Sequence, residues 1–173
     1  MEVILLIIII IIYLIVTFTI KSPGFKGKIG ESRVAGQLEK LNKEEYKLLN
    51  DLIINTEKGS YQIDHVIVSE YGIFVIETKN YKGWIHGNEN SEYWKKTYYK
   101  NKTIFRNPIK QNWAHVYALR SLFSNYKNIK YYPIVVFTSN AEFKNVYTKT
   151  PVVYEYQITK TILETQKEKN LTK

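Results

Sequence analysis

Two β-branched runs, Gln62–Val68 (QIDHVIV) and Ile73–Lys79 (IFVIETK), flank the tetrapeptide Ser69-Glu70-Tyr71-Gly72. That pattern predicts a β-hairpin. With a loop of two or four residues, paired positions carry numbers summing to 141, which sets Asp64 directly opposite Glu77 on one face. Their Cβ atoms would then lie roughly 5 Å apart. Lys79, two residues beyond Glu77, projects from the same face. Carboxylates opposed across a ladder repel one another, and a divalent cation relieves that repulsion; hard oxygen ligands suit Mg²⁺ or Mn²⁺. Lys79 could then orient or deprotonate a water, or stabilise charge developing on a phosphate. Acid–lysine ladders also cover solvent-facing sheet surfaces, and a loop of odd length would break the pairing.

Other elements must hold this hairpin in place. Val34, Leu38 and Leu41 fall at i, i+4 and i+7, which predicts a helix over 29–41 with Glu31 in its first turn, where the helix dipole favours a carboxylate. Tyr46–Ile54 reads as a strand leading into the hairpin, and the polar stretch around Trp84 and Trp94 as one or two edge strands. Pro108 opens a helix to about Phe123, with Val116, Leu119, Leu122 and Phe123 as its apolar stripe. Ile134–Thr138 and Pro151–Tyr156 read as strands, and a short amphipathic helix starts at Thr159. The order is helix, three-strand meander, helix, strand: an α/β domain.

Read jointly, the motifs GKIGE (Gly27–Glu31), QIDHVIVSEYGIFVIETKNYKG (Gln62–Gly83) and NPIKQN (Asn107–Asn112) make the chain resemble the nuclease-related (NERD) domain, which is placed within the PD-(D/E)xK nuclease superfamily. The resemblance is strongest from Lys26 to Phe123 and extends on weaker grounds to about Glu164. It implies a restriction-endonuclease-like αβββαβ core. It also implies a metal site for Mg²⁺ or Mn²⁺ in which Asp64 and Glu77 are ligands, Glu31 completes the shell directly or through water, and Lys79 is the catalytic lysine. Gln111 matches the glutamine placed near the active site by the helix after the core strands. Ile63 stands where the superfamily often has proline, a variable position.

Among the remaining polar residues, His65 points away from Asp64 in a regular strand and reads as a core residue. His115 lies one turn beyond Gln111 on the same helical face, within reach of the site. Tyr93–Arg106 (YWKKTYYKNKTIFR) interleaves aromatic residues with Lys95, Lys96, Lys100, Lys102 and Arg106 and contains no acid. That composition suits a surface that neutralises phosphates and stacks bases, and equally a twisted hairpin with lysines on one face. Gly24, Gly27 and Gly30 are too loosely arranged for a nucleotide-binding loop.

Charge and hydropathy are unevenly distributed over the 173 residues. Val3–Ile20 (VILLIIIIIIYLIVTFTI) is uncharged, and its length as a helix, roughly 27 Å, matches the hydrocarbon core of a bilayer. Glu2 precedes the run and no small-residue cleavage site follows, which argues against a secretory signal peptide and for an anchor. The expectation is a single transmembrane anchor over 3–20, a linker over 21–26, a nuclease-like domain over 27–165 and a flexible basic tail over 166–173. Lys21, Lys26 and Lys28 follow the run, so the positive-inside rule puts the domain in the cytoplasm, at the cell membrane. Beyond residue 20 there are 25 Lys and Arg against 15 Asp and Glu, a net +10. Such a balance favours a polyanionic partner, nucleic acid (DNA first) or anionic lipid. The absence of cysteine does not discriminate between compartments. Two functions fit: a membrane-anchored, metal-dependent nuclease, and a non-catalytic tethered module that binds nucleic acid or anionic lipid.

Overall fold

The computed structural model describes residues 23–57, 59–126 and 128–170. The run 3–20, read as an anchor, lies outside them. Among the described residues no helix is long and apolar enough to cross a membrane. The chain folds as α1 (Pro23–Leu38), β1 (Tyr46–Thr56), β2 (Gly59–Ser69), β3 (Gly72–Lys79), β4 (Gly83–Asn88), β5 (Tyr93–Tyr98), β6 (Asn101–Arg106), α2 (Pro108–Leu122), β7 (Tyr131–Phe137), β8 (Ala141–Tyr147), β9 (Val152–Tyr154), a 3₁₀ turn (Glu155–Gln157) and α3 (Ile158–Asn170). It is an α/β fold with two mixed sheets, ordered β1-β2-β3-β7-β9 and β6-β5-β4-β8. The first sheet and helices α1 and α2 follow the expected order, helix, three strands, helix, strand. Strands β4, β5 and β6 of the second sheet are inserted between β3 and α2.

Strand β3 is the axis of the first sheet. It pairs antiparallel with β2 and parallel with β7. Both of its faces are covered, which explains its nearly continuous apolar text. On one face Phe74 and Ile76 join Ile134 and Val136 beneath Val34 and Leu38 of α1 and Ile158 and Ile162 of α3. On the other, Ile73 and Val75 meet Val116 and Leu119 of α2. Val135 and Phe137 of β7 continue this second face toward Ile85 and Trp94, so the second sheet packs on the same side as α2. The C-terminal end of β3 is therefore enclosed by α2 and the inserted strands.

Several boundaries differ from the sequence reading for local reasons. Helix α1 already includes Pro23, because proline is tolerated in a first helical turn; part of the stretch 21–26 read as a linker is thus helical. Leu122 is 60% exposed rather than part of the buried stripe, since α2 ends there, while Val116 and Leu119 are buried against the sheet. The polar stretch gives three strands instead of one or two. A further strand, β8, was not legible: its text AEFKNVY is mostly exposed, and it is drawn into extended form by pairing parallel with β4. Helix α3 continues to Asn170, into the segment expected as a flexible tail, while residues 171–173 lie outside the described residues.

The β2–β3 loop is a two-residue turn, closed by the pair Ser69 and Gly72. Gly72 has φ 135°, and a Cβ there would lie 2.5 Å from the carbonyl oxygen of Lys130. Gly72→Ala is therefore expected to lower stability by roughly 2–4 kcal/mol, read as a shifted denaturant midpoint. An unchanged midpoint would show that the turn is not constrained in this way.

Candidate active site

Glu77 and Lys79 leave β3 on the face covered by α2, at the end where β3 runs parallel to β7. Glu77 is 2% exposed. Its Oε1 accepts a 2.6 Å hydrogen bond from Lys79 Nζ, which also donates to Gln111 Oε1 at 3.0 Å. Its Oε2 makes no hydrogen bond and faces His115 Nδ1 at 3.4 Å. Burial pushes Glu77 up, against the opposing charge and hydrogen bond of Lys79. Burial works against the Lys79 ammonium, but the Glu77 charge and hydrogen bond, with Tyr81 and Asp64, outweigh it, and Lys79 is raised overall. Lys79 is thus a charged donor in this arrangement.

The hairpin register is the one expected, with His65 opposite Ile76. The ladder stops there, one pair short of Asp64 and Glu77. On its other side Asp64 is skipped as well: β1 pairs Asn50 with His65 and Leu52 with Ile63. The intervening Asp51 has φ 53°, a left-handed conformation that aspartate tolerates better than most residues. Asp64 is released from both ladders at this kink, and its Oδ2 accepts a 2.7 Å hydrogen bond from the Thr78 backbone N–H. Burial, then the charge of Glu77, raises the Asp64 carboxyl to about 7, although Thr78 and Lys79 pull the other way.

Glu31 comes from α1, one turn beyond the point where the helix is fixed to the end of β3. Asn80 Nδ2 donates to the Lys26 carbonyl at 2.7 Å, and Thr138 Oγ1 donates to Asn80 Oδ1 at 2.8 Å. Gly30 allows this approach, since a Cβ there would sit 2.6 Å from Asn80 Cβ. Burial, then the charges of Asp64 and Asp51, raises Glu31. The three acids therefore lie within one another's fields. Among the described residues, however, no three Asp, Glu, His or Cys side chains are close enough to form a preformed metal cage.

Helix α2 holds the site from above. Asn107 caps it, accepting from the Ile109 N–H at 2.9 Å. Asn112, fully buried, donates to the carbonyls of Val75 and Ile134 and so clamps β3 to β7. The asparagines of NPIKQN are thus structural, and Gln111 is the member that reaches the lysine. His115 does enter the site; burial, then Lys79, lowers it to about 4, so it is neutral near pH 7. His65 is 2% exposed, bonded to Asn50 Oδ1 at 2.8 Å, as a core residue. Asp51 and Asn80 were missed by sequence reasoning. The one signal for Asp51 is a polar Asn-Asp pair inside an otherwise apolar strand.

The basic segment does not form one surface. Strand alternation turns Lys95 outward and Trp94 into the core, with Lys102 and Arg106 on β6 exposed and Lys100 at the hairpin tip. Lys96 turns inward and stands over the Tyr81 ring, 4.3 Å from its centroid.

The profile of the nuclease-related domain (NERD) matches residues 26–138, from the first turns of α1 through β7 to Thr138. The chain belongs to the nuclease-related domain family. All five expected site residues fall within the NERD match. An uncharacterised protein of Bacillus anthracis is 43% identical over 101 residues, which cover 58% of this chain and 48% of that protein. The chain spans about half the length of this curated relative. No solved structure gives a significant match.

The raised Asp64 fixes the sign of a pH effect. Its carboxyl ionises near 3.8 in the unfolded chain and at about 7 in the folded one, so the folded state binds more protons between those values. Stability therefore falls as pH rises through that window. Asp64→Asn is expected to stabilise the protein by about 1–3 kcal/mol at pH 8, with the gain vanishing near pH 4. Chemical denaturation at both pH values measures it, and a gain equal at the two would contradict this reading.

Proposed function

We propose that this NERD protein is a membrane-anchored, divalent-metal-dependent nuclease that hydrolyses phosphodiester bonds of nucleic acid, with DNA as the first substrate to test. The observation that carries the reading is the buried group of Glu77, Lys79, Gln111 and Asp64 at the end of β3. Its acids lack enough positive charge: Lys79 answers Glu77, while Asp64 is held up to about 7 by burial and by Glu77. The order helix, three strands, helix, strand supports assignment of the first sheet and its helices to the restriction-endonuclease-like class.

The residues present fit a hard divalent cation in donor chemistry, since the Oε2 of Glu77 has no hydrogen-bond partner and the Asp64 carboxylate, held by the Thr78 N–H, is a second oxygen ligand. Asp64 and Glu77 would hold Mg²⁺ or Mn²⁺, with Glu31 completing the shell. Such an ion, when bound, supplies Lewis acidity and neutralises negative charge on phosphoryl oxygens.

The chain's own contribution is positioning and charge. Lys79 is fixed by two acceptors, so its ammonium is preorganised toward oxygens that gain charge during attack at phosphorus. Gln111 holds that ammonium from the α2 side, and Asn112 keeps α2 and the β3–β7 pair in register. The membrane part of the proposal rests on Val3–Ile20 and the lysines that follow it, with the domain on the cytoplasmic side.

One observation favours the second reading, a tethered binding module: no closed group of three metal-ligating side chains exists among the described residues. The two readings separate in a single experiment. The full chain, in neutral detergent, is incubated with circular and linear DNA in Mg²⁺, Mn²⁺ or EDTA. Metal-dependent cleavage is expected, falling at least about 100-fold in Glu77→Ala and in Lys79→Ala. Salt-sensitive DNA binding without cleavage in any metal would favour the binding module.

A further inference from the structure

A second group of residues borders the site without belonging to the acid–lysine set. The segment 81–83 leaves the catalytic lysine and immediately enters β4, which pairs with β5 through Trp84 and Thr97. Two cation–aromatic contacts cross between these neighbouring stretches. Lys96 of β5 lies over the ring of Tyr81 at 4.3 Å, and Lys82 lies over the ring of Tyr98 at 4.8 Å. Each stretch thus supplies one lysine and one tyrosine, and each lysine is held by the ring from the opposite stretch.

The braced ammonium groups remain available. Neither Lys82 nor Lys96 is salt-bridged to a carboxylate among the described residues, in contrast to Lys79, Lys110, Lys144 and Lys160. Lys82 is exposed and Lys96 half-buried. Tyr81 is itself fixed in place, edge-on to Phe105 with centroids 4.8 Å apart and also against Phe137 of β7. The pair of cations is therefore mounted on the core, three residues from Lys79 along the chain in one case and across the Tyr81 ring in the other. Lysines held this way lose little side-chain freedom on meeting an anion.

We infer that Lys82 and Lys96, crossed over Tyr98 and Tyr81, form a phosphate-binding subsite for the sugar–phosphate backbone next to the bond placed at Lys79. The inference rests on the nuclease reading for what lies at Lys79, but binding at the subsite is independent of cleavage. It narrows the basic segment to one member, Lys96, and adds Lys82 from outside it. The outward-facing Lys95, Lys102 and Arg106 have no part in this subsite.

The test measures binding of a fluorescent oligonucleotide by the full chain in neutral detergent with EDTA, over a series of salt concentrations. Lys82→Gln/Lys96→Gln is expected to weaken binding about tenfold and to reduce the salt slope by about 1.4, the value for two phosphate contacts on a single strand. Lys82→Arg/Lys96→Arg should stay within about twofold of the wild type. Lys43→Gln/Lys160→Gln, which removes the same charge elsewhere, should leave affinity nearly unchanged. Equal loss in the two glutamine pairs, or no loss in the first, overturns the subsite. So does a first pair that loses only its binding to vesicles containing anionic lipid. If no metal supports cleavage but the first pair still loses oligonucleotide binding, the subsite stands and the nuclease reading falls. If the wild type cleaves and the first pair binds normally, the reverse holds.

Discussion

Everything around the site depends on one buried carboxylate. Glu77 sits at 2% exposure on the central strand, with one oxygen on an ammonium and the other unbonded. A carboxylate removed from water without compensation is among the most costly groups a fold can carry. Lys79 compensates for one negative charge. Burial first, and then the charges of neighbouring acids, raise both Asp64 and Glu31, and Lys79, with Lys28 beside Glu31, offsets only part of that. The fold tolerates this because both faces of β3 are packed: α1 and α3 cover one, and α2 with the inserted sheet covers the other. In the reading we propose, it is this shortage of positive charge on a rigid sheet that a divalent cation would relieve.

The hairpin was legible because period-two alternation and a short turn leave few alternatives. Register followed from the two β-branched runs, and the facing of Asp64, Glu77 and Lys79 followed from register. Motif order placed Glu31 and Gln111, residues from helices that no local spacing could have brought to the strand. What local pattern could not give was the point where the ladder ends. Asp64 is freed by the left-handed turn at Asp51, and its carboxylate takes the Thr78 N–H in place of a simple cross-strand meeting with Glu77. That is a property of three strands together. The same holds for β8, whose polar text becomes a strand only because β4 offers an edge, and for Asn112, whose amide spans two strands.

Strands β4, β5 and β6 of the second sheet fall within the matched domain, between β3 and α2. The inner face of that sheet extends the hydrophobic core through Ile85 and Trp94, and its outer face carries Lys95, Lys102 and Arg106. Composition alone treats Tyr93–Arg106 as one basic surface; strand alternation divides it in two. The half that turns inward reaches Tyr81, and through it the neighbourhood of Lys79. Charge along the sequence thus gives only a net balance, and the pleat says which lysines turn toward Lys79 and which turn to solvent.

The central claim is that the acids at the end of β3 form a site for a divalent cation. Calorimetric or electron-paramagnetic titration of the full chain with Mn²⁺ at pH 8 measures this directly, without any substrate. Stoichiometric binding is expected in the wild type, weakened at least about tenfold in both Asp64→Asn and Glu77→Gln. Mn²⁺ affinity unchanged in both variants, or no binding by the wild type, would contradict it.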